Sequence, residues 1–477
     1  MEEDEPLQYS FIDNSILRIT LFPLLDTLKC YCVPFGFLRQ HSAATSCHCI
    51  HNMCKLFLVN CFVPHSKIII TFRRSVPPPS RDMASTSKGS KPKDKRGVPH
   101  QGKDMASTSK GTQSEDKTNT SIGMRAKYQG CMVGALIGDC LGSPFERLPR
   151  RNFLPTSYLP YFLRRVLNES VKQDDYAGSR FIEIPGHPFG GHYMYTDDTA
   201  MTHALAESLI KNNGFNPRHV AESFTEEFFG NKDCRGEYGP KVRVVFSELR
   251  KTRFRDVWEP AKSQFDGTGS FGNGAAMRVA PVALFYRLDE TKAIKVAQDQ
   301  AKLTHAHRWG YNGAVLICLA IQLALTLDPR ESLDVEEFLE VLTKKMEKVE
   351  EDRLFSPRFY CDKLQTIKEM LLNPRRDFAP EEVADRLGNE ITADRSVPAA
   401  LYCFLRGGKP LKSYPTSNGF LRSLYFAISL GGDTDTIGTM TSSIAGAYYG
   451  IFRIPTSMQK YCQGERHATH LASSLVV

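Results

Sequence analysis

Four glycines recur at every fourth position in one apolar segment: Gly130, Gly134, Gly138 and Gly142. Residues four apart lie on one face of an α-helix, so this segment would have a face without side chains. Such a face lets a second helix approach closely, as small-residue faces do between membrane helices. Asp139 interrupts the apolar run, which favours a buried helix of a soluble protein over a membrane span.

Helical periodicity continues through most of the sequence after residue 124. Alternation typical of strands is nearly absent there. Predicted helices include residues 196–211, 310–326, 332–350, 397–406 and 436–450. We therefore predict that residues 124–477 form one all-α domain.

The sequence divides near residue 124. Residues 81–123 are rich in Ser, Thr, Lys and Gly, and the segment Asp82–Gly89 is repeated as Asp104–Gly111. A polar segment of this kind buries too little apolar surface to fold, so we expect a disordered linker. The basic stretch Lys91–Arg96 is compatible with a nuclear-import signal or with an ordinary solvated charge run.

Residues 1–80 show no sustained helix or strand period, and we predict only an N-terminal extension of unknown structure. The segment from Cys47 to Cys61 is rich in cysteine and histidine, which are zinc ligands. Its spacing matches none of the usual paired Cys-x-x-Cys patterns, and this argues against zinc.

Charge and cysteine usage restrict the compartment and the partners. The net charge is +8, of which residues 1–123 carry +5, so the remaining part is nearly neutral. We therefore expect no DNA-binding face on that part. Its cysteines lie in apolar helical surroundings, typical of buried free thiols in a reducing compartment. The acidic N-terminus differs from a secretory signal, and no uncharged apolar run is long enough to span a bilayer, so we expect an intracellular protein that binds no membrane. We also expect a monomer.

Two short clusters of carboxylates and hydroxyls each lead into a helical segment. Residues 195–199 read Tyr-Thr-Asp-Asp-Thr, and residues 431–436 read Gly-Gly-Asp-Thr-Asp-Thr. One Asp or Thr suffices to cap a helix, so ordinary capping explains either cluster alone. If the two helix starts face each other, their four aspartates repel unless a cation lies between them. Oxygen ligands without nearby Cys or His favour Mg²⁺, Mn²⁺ or Ca²⁺ over zinc.

Three other segments contain candidate functional residues. Residues 138–146 lead from the glycine-faced helix into a predicted loop that presents Glu146. Residues 267–278 contain closely spaced glycines before a helical run, typical of a loop whose backbone N–H groups face an anion. This loop matches neither the Walker pattern nor the dinucleotide fingerprint. In the third segment, residues 303–307, His305 is either structural or a donor to a phosphate.

The order of these motifs resembles that of the ADP-ribosylglycohydrolase family. The strings are Gly-Asp at 138–139 with Glu146, Tyr-Thr-Asp-Asp-Thr at 195–199, Gly-Asn-Gly-Ala-Ala-Met-Arg at 272–278, Thr-His-Ala at 304–306, Ser-Val-Pro at 396–398 and Gly-Gly-Asp-Thr-Asp-Thr at 431–436. The resemblance extends over residues 124–477 and includes nothing in residues 1–123. It implies an all-α fold with a binuclear Mg²⁺ centre, two ions per subunit, at the floor of an ADP-ribose cleft.

The resemblance also implies the residues of this cleft. The metal ligands would be Thr196, Asp197, Asp198, Asp433, Asp435, Thr436 and, on a mobile loop, Glu146. Asp197 would also contact the substrate. The diphosphate-binding loop falls on Thr268, Gly269, Ser270, Phe271, Gly272, Asn273 and Gly274. His305 matches a phosphate-contacting histidine, and Leu364 and Ile391 match contacts on the adenosine side.

The implied reaction is hydrolysis of the bond between C1″ of ADP-ribose and an acceptor oxygen, as on serine. Poly(ADP-ribose) and O-acetyl-ADP-ribose would be further substrates, and ADP-ribosylated proteins the partners. The transition state should resemble an oxocarbenium ion. We expect Asp433 to orient the attacking water and Glu146 to act as a displaceable gate. The nucleus and the cytoplasm are the expected locations, with the mitochondrial matrix as an alternative.

Three alternative functions follow from the same sequence. Sister enzymes with similar Asp/Thr clusters remove ADP-ribose from arginine. A catalytically inactive relative would bind ADP-ribose only, but it should have lost ligands, whereas all seven predicted positions here carry oxygen. A nucleic-acid adaptor would have to rely on residues 66–103, the basic part of the N-terminal region.

Overall fold

The computed structural model describes residues 8–12, 16–19, 69–70, 113–146, 158–167, 192–350, 358–373 and 376–476. The chain separates into two units, residues 1–105 and 106–477. In the first unit, three short strands are described: β1 (Gln8–Ile12), β2 (Ile16–Ile19) and β3 (Ile69–Ile70). Strand β1 pairs antiparallel with β2 and parallel with β3. The cysteine- and histidine-rich segment 47–61 lies outside the described residues.

The described part of the second unit is built of helices. They are α1 (Gln113–Glu146), α2 (Tyr158–Val166), α3 (Asp197–Lys211), α4 (Pro217–Gly230), α5 (Pro240–Lys251), α6 (Glu259–Lys262), α7 (Gly274–Met277), α8 (Ala280–Phe285), α9 (Glu290–Lys302), α10 (Arg308–Thr326), α11 (Val335–Glu350), α12 (Phe359–Leu371), α13 (Pro380–Leu387), α14 (Ala393–Gly407), α15 (Gly419–Ser429), α16 (Thr434–Tyr449), a 3₁₀-helix (Ile451–Arg453), α17 (Thr456–Tyr461) and α18 (Glu465–Ser474). The predicted all-α class is confirmed, and the five predicted helices correspond to α3, α10, α11, α14 and α16.

The start of α1 differs from the predicted domain boundary. The helix begins at Gln113, so residues 113–123, the end of the predicted disordered linker, are helical. Extending an existing helix fixes one residue for each new hydrogen bond and needs no new nucleus, which explains why polar residues can continue it. The rest of the predicted linker, residues 81–112, lies outside the described residues.

Helix α16 lies at the centre of the second unit, with residues 434–448 all buried. Helix α1 packs along it through its glycine face, and the opposing residues are Gly130 with Gly446, Gly134 with Ser442, Gly138 with Gly438, and Gly142 with Thr434. The numbers rise along one helix and fall along the other, so the two helices are antiparallel. The predicted close approach is confirmed. It brings the last turn of α1 to the first turn of α16.

A buried aspartate joins the start of α3 to the same place. Asp139 of α1 accepts hydrogen bonds from the backbone N–H of Thr196, at 3.1 and 3.0 Å, and of Thr199, at 3.1 Å. Those N–H groups belong to the unpaired first turn of a helix, which favours a negative charge. As a result, one helix end and two helix starts converge at one point.

Helix α10 is an apolar helix of the core. By length and composition alone it is the one helix, among the residues that the structure describes, that qualifies as a membrane span. Most of it is buried, and the run 313–322 is buried throughout. The expectation of a buried helix at 310–326 is therefore confirmed.

All seven cysteines of the described second unit are free thiols, and all are buried. They are Cys131, Cys140, Cys234, Cys318, Cys361, Cys403 and Cys462. This agrees with the sequence-based expectation.

Candidate active site

Three carboxylates meet where α1 ends and α16 begins. Glu146, Asp433 and Asp435 each place one oxygen within 4.8 Å of the others. Asp433 and Asp435 are buried, whereas Glu146 is partly buried. The arrangement joins residues that are almost 290 positions apart in the sequence, and it has the donor set of a site for a hard divalent cation.

Glu146 lies at the end of a helix and not in a loop as predicted. It is the last residue of α1, which continues through Pro144. The packing of the α1 glycine face on α16 explains the difference, because its last opposing pair, Gly142 with Thr434, holds this end of α1 against α16. Glu146 is therefore positioned by helix packing.

The second predicted cluster adjoins the first. The Thr436 hydroxyl donates to Oδ1 of Asp198 at 3.4 Å, which links the start of α16 to the start of α3. The Thr196 side chain caps α3 by accepting from the N–H of Asp198 at 3.3 Å. The other oxygen of Asp198, Oδ2, is buried and has no hydrogen-bond partner among the described residues. An unpaired buried carboxylate oxygen is costly unless a cation neutralises it.

Two consecutive glycines set the direction of Asp433. Gly431 and Gly432 have φ values of +65° and +73°, a region that side chains disfavour. A Cβ at Gly432 would also lie 2.8 Å from Cγ of Asn389. The same Asn389 accepts from the N–H of Asp433 at 2.9 Å through its carbonyl. The Gly-Gly pair therefore allows the chain to turn tightly against Asn389 and direct Asp433 into the cluster.

Burial dominates the electrostatics of the cluster. It raises the pKa of Asp197 to about 7, with a further contribution from the Asp139 carboxylate. The pKa values of Asp198, Asp433 and Asp435 are also raised, mainly by burial. For Asp198 and Asp435, neighbouring carboxylates add to the effect. Without a counter-charge these groups resist ionisation.

The cluster fits a hard divalent cation. It offers carboxylate and hydroxyl oxygens from three helices, an unpaired oxygen on Asp198 and several carboxyls whose charged forms lack compensation. Mg²⁺, Mn²⁺ and Ca²⁺ take such ligands, whereas zinc prefers nitrogen and sulfur. Of the predicted ligands, Glu146, Asp433 and Asp435 form the cluster, and Thr436 links it to Asp198. Thr196 caps the same helix start, and Asp197 lies near enough for the charges of Asp433 and Glu146 to raise its pKa.

Mg²⁺ is expected to stabilise the protein more at about pH 7.5 than at about pH 5.5. Raised pKa values mean that, between about pH 4 and pH 7, the folded metal-free protein holds protons that the unfolded chain has released, so its stability falls as pH rises. A cation replaces those protons and binds better when they have left. At a hundredfold excess over Kd the gain is about 2.7 kcal/mol, or roughly 5 °C in Tm. Thermal melts with Mg²⁺ and with chelator at both pH values measure it, and equal shifts would contradict the expectation.

The predicted glycine loop lies beside the carboxylates. The side-chain amide of Asn273 donates to Oδ2 of Asp433 and, at 3.0 Å, to the hydroxyl of Ser396. The backbone N–H of Asn273 donates to the carbonyl of Ile391 at 3.1 Å, and the carbonyl of Phe271 accepts from Ala393 at 2.9 Å. Two backbone hydrogen bonds thus hold the loop against residues 391–393. Asn273 connects the loop directly to the acidic cluster.

His305 and several aromatic rings surround this loop. A Cβ at Gly274 would lie 2.7 Å from Cε1 of His305, so the imidazole lies directly on the loop backbone. The ring of Phe271 is 5.6 Å from that of His307 and 6.0 Å from that of Trp309. The rings meet edge to face, at interplanar angles of 66° and 86°, and form an aromatic cluster next to the loop whose ring faces could contact a base or a sugar.

The two predicted adenosine-side residues, Ile391 and Leu364, differ in exposure. Ile391 lies beside the loop, because its carbonyl accepts from Asn273, and it is 65% exposed; its contact with adenosine stays a prediction. Leu364 is 1% exposed on the buried face of α12 and offers a ligand almost no surface, which argues against the predicted contact. The remaining loop residues, Thr268, Gly269, Ser270, Gly272 and Gly274, precede or begin α7 as predicted.

Sequence analysis missed four residues that position the site: Asp139, Asn389, Ser396 and Arg278. Asp139 fixes the start of α3, Asn389 fixes Asp433, and Ser396 receives the Asn273 amide. Arg278 is fully buried behind the loop. Asp139, Arg278 and Ser396 belong to the shared motifs, so a charged or polar residue inside an apolar run was the signal available.

The combination of an acidic cluster at two helix starts and a glycine loop at its side agrees with what comparison of the sequence shows. The sequence profile of the ADP-ribosylglycohydrolase family matches residues 120–477. The chain belongs to this family. It is accordingly a glycosidase that acts on ADP-ribosylated substrates, and the family is metal-dependent.

Individual relatives agree with the family assignment. ADP-ribosylhydrolase ARH3 of Mus musculus is 41% identical over 360 residues, 73% of this chain and 91% of that protein. The proteins of the same name from Homo sapiens and Danio rerio are 41% and 36% identical and are covered to 93% and 90%. A solved structure titled "ADP-ribosylglycohydrolase-related protein complex" has a TM-score of 0.50 at 22% identity, covering 74% of this chain and 98% of its own. That likeness supports the fold alone.

Proposed function

We propose that this protein is a Mg²⁺-dependent hydrolase that releases ADP-ribose from serine on proteins by cleaving the O-glycosidic bond at C1″. Poly(ADP-ribose), through its ribose–ribose bonds, and O-acetyl-ADP-ribose are further proposed substrates. The observation that carries the proposal is Asn273, whose one amide joins the anion-binding loop to the carboxylate of Asp433. The similarity to proteins named ADP-ribosylhydrolase ARH3 supports it.

Seven residues would hold two Mg²⁺ ions: Thr196, Asp197, Asp198, Asp433, Asp435, Thr436 and Glu146. When bound, Mg²⁺ would supply Lewis-acid polarisation and a lowered pKa of water. The absence of Cys and His from this set and the unpaired Oδ2 of Asp198 support a hard cation.

The protein's own groups orient the substrate and the water. Asp433 is held at its backbone by Asn389 and at Oδ2 by Asn273, so its remaining oxygen has a fixed direction. We assign it the orientation of the attacking water. Glu146, partly buried at the end of α1, is the gate that the incoming ribose displaces.

The division of charge across the cleft suits ADP-ribose. The diphosphate would bind at the glycine loop and His305, beside the acidic cluster. The ribose that reacts would then lie at the carboxylates. Negative charge there stabilises the positive character that develops at C1″ in an oxocarbenium-like transition state. The aromatic rings around Phe271 would receive the adenosine.

The proposal extends to partners and location. ADP-ribosylated proteins and poly(ADP-ribose) are the proposed substrates in the nucleus and cytoplasm, on which a monomer acts without binding DNA or membranes through this domain. Release of ADP-ribose from arginine is the alternative activity, and an inactive ADP-ribose-binding protein is the alternative function.

A panel of linkages tests the proposal. Peptides with serine-linked or arginine-linked ADP-ribose, and poly(ADP-ribose), are incubated with the full chain in Mg²⁺ or in chelator, and free ADP-ribose is measured. We expect release from serine that disappears with chelator. Release from arginine alone would contradict the serine assignment, and release that survives chelation would contradict the metal requirement. Binding of ADP-ribose without any release would support the inactive alternative.

A further inference from the structure

A fully buried arginine lies behind the glycine loop. Arg278 is 0% exposed, and its guanidinium donates to the side chain and carbonyl of Gln300, both at 2.9 Å, and to the carbonyl of Gly274 at 3.0 Å. Nη2 also donates to the Thr304 hydroxyl at 2.8 Å. The ring of Phe224 covers the guanidinium carbon at 4.6 Å. No step of the proposed reaction uses this charge, so its position calls for another explanation.

The Thr304 hydroxyl contacts both Arg278 and His305. Thr304 is 1% exposed, and its Oγ1 lies 2.8 Å from Nδ1 of His305. A guanidinium has no acceptor, so the Arg278 contact uses a lone pair of Oγ1 and leaves its proton available. If Nδ1 were protonated, Oγ1 would accept from both sides. Its own buried proton would then face no acceptor among the described residues, which costs about 1–3 kcal/mol.

The surroundings also keep His305 neutral. Burial, followed by the nearby Arg278 charge, lowers the pKa of His305 to about 3. A neutral imidazole carries one proton. With Nδ1 accepting from Thr304, that proton is on Nε2, the nitrogen that faces the loop. A Cβ at Gly272 or at Gly274 would lie 3.1 Å from Nε2.

We propose that Arg278 and Thr304 are positioning residues that hold His305 as its Nε2–H tautomer, a fixed neutral donor to a phosphate oxygen bound at the glycine loop. The inference deepens the proposed function, because it rests on the glycine loop receiving the diphosphate of ADP-ribose. A neutral N–H beside the buried arginine supplies directionality without adding a second buried positive charge. The histidine then selects an oxygen by geometry and contributes to binding more than to bond cleavage.

Two threonine variants test whether the Thr304 hydroxyl positions His305. T304V removes the hydroxyl but keeps the shape, and T304S keeps the hydroxyl. For T304V we expect KM for the ADP-ribosyl substrate and Kd for ADP-ribose and ADP to rise about 10- to 100-fold, the size of a lost hydrogen bond to a charged group. The kcat value should change little. T304S should recover most of the affinity, and adenosine, which has no phosphate, should bind T304V and wild type alike.

A matched control separates the effect of Thr304 on His305 from general destabilisation by a lost buried hydroxyl. Thr225 is also buried, and its hydroxyl donates at 2.7 Å to a carbonyl of its own helix, α4. T225V loses a buried hydroxyl without touching His305 and should keep wild-type KM and Kd. If T304V and T225V weakened ADP binding equally, or if T304S bound ADP as weakly as T304V, the inference would be wrong.

The tautomer can be observed without any variant at Thr304. In ¹⁵N-histidine-labelled wild type, with the His305 signals assigned by H305Q, we expect Nε2 to carry the proton and Nδ1 to be unprotonated. A protonated Nδ1, or an imidazolium near pH 6, would overturn the inference. This outcome is distinct from failure of the proposed function, which would appear as wild type that neither binds nor hydrolyses ADP-ribosyl compounds.

Discussion

Replacing Asp435 by asparagine is expected to lower hydrolysis of ADP-ribosyl substrate about 10³-fold and, without metal, to make the protein more stable. The activity falls because a carboxylate of the acidic cluster is lost, and metal assistance is worth several kcal/mol of barrier. Metal-free stability rises because burial and the charges of Asp433, Asp198 and Glu146 disfavour the ionised form of Asp435, as its raised pKa indicates. Asparagine removes that charge and keeps Oδ1, which accepts from the N–H of Thr436 at 2.8 Å.

The two effects of D435N are measured together. Turnover is followed with Mg²⁺, and thermal melts are recorded with Mg²⁺ and with chelator. D362N is the matched control, because Asp362 is an exposed carboxylate on α12 outside the cluster, and it should change neither quantity. D435N should also lose most of the stabilisation by Mg²⁺. A variant that keeps full turnover, or that is less stable than wild type in chelator, would contradict a metal site at this position.

The features that sequence analysis predicted correctly depend on local patterns. The helical spacing of apolar residues predicted the buried helices, because an apolar face repeats every three to four residues whatever it packs against. The glycine repeat at positions 130–142 likewise predicted a close partner, although not that α16 would be it. The two Asp/Thr clusters were identifiable because they contain more carboxylates than one helix cap needs.

The features that sequence analysis missed depend on contacts between distant segments. Asp139 lies in an apolar run and looked like an interruption, but its partners are N–H groups of residues 196 and 199. Glu146 was predicted to lie in a loop beyond the glycine-faced helix, but α1 continues through Pro144 to Glu146, and its packing on α16 holds this end of the helix. Leu364 was assigned by resemblance alone, which does not reveal which face of α12 is buried.

Replacing Gly138 by alanine is expected to destabilise the protein by about 3 kcal/mol or more. An added Cβ would lie 2.6 Å from the backbone nitrogen of Thr439, and its other near neighbours are backbone atoms of Gly438. Backbone in the middle of a buried helix cannot move aside as a side chain can, so overpacking here costs at least as much as in an ordinary core. Urea or thermal unfolding of the purified protein measures the loss.

A control in the same helix separates packing from helix propensity. Gly123 also lies in α1, but a Cβ there would meet nothing within 4 Å. G123A should therefore stabilise the protein by about 0.5–1 kcal/mol, as alanine normally does in a helix. Equal stability of G138A and G123A would contradict the close packing of α1 on α16.

The packing of the α1 glycine face on α16 also sets the position of Glu146 in the candidate active site. Any shift that accommodates the methyl group of G138A must move the end of α1 relative to the start of α16, and thus Glu146 relative to Asp433 and Asp435. Because a displacement of about 1 Å can cost about 10²-fold in rate, the folded fraction of G138A should have lost turnover as well. A glycine with no polar group would then affect catalysis through helix packing alone, and G138A with wild-type kcat would show that Glu146 is positioned in some other way.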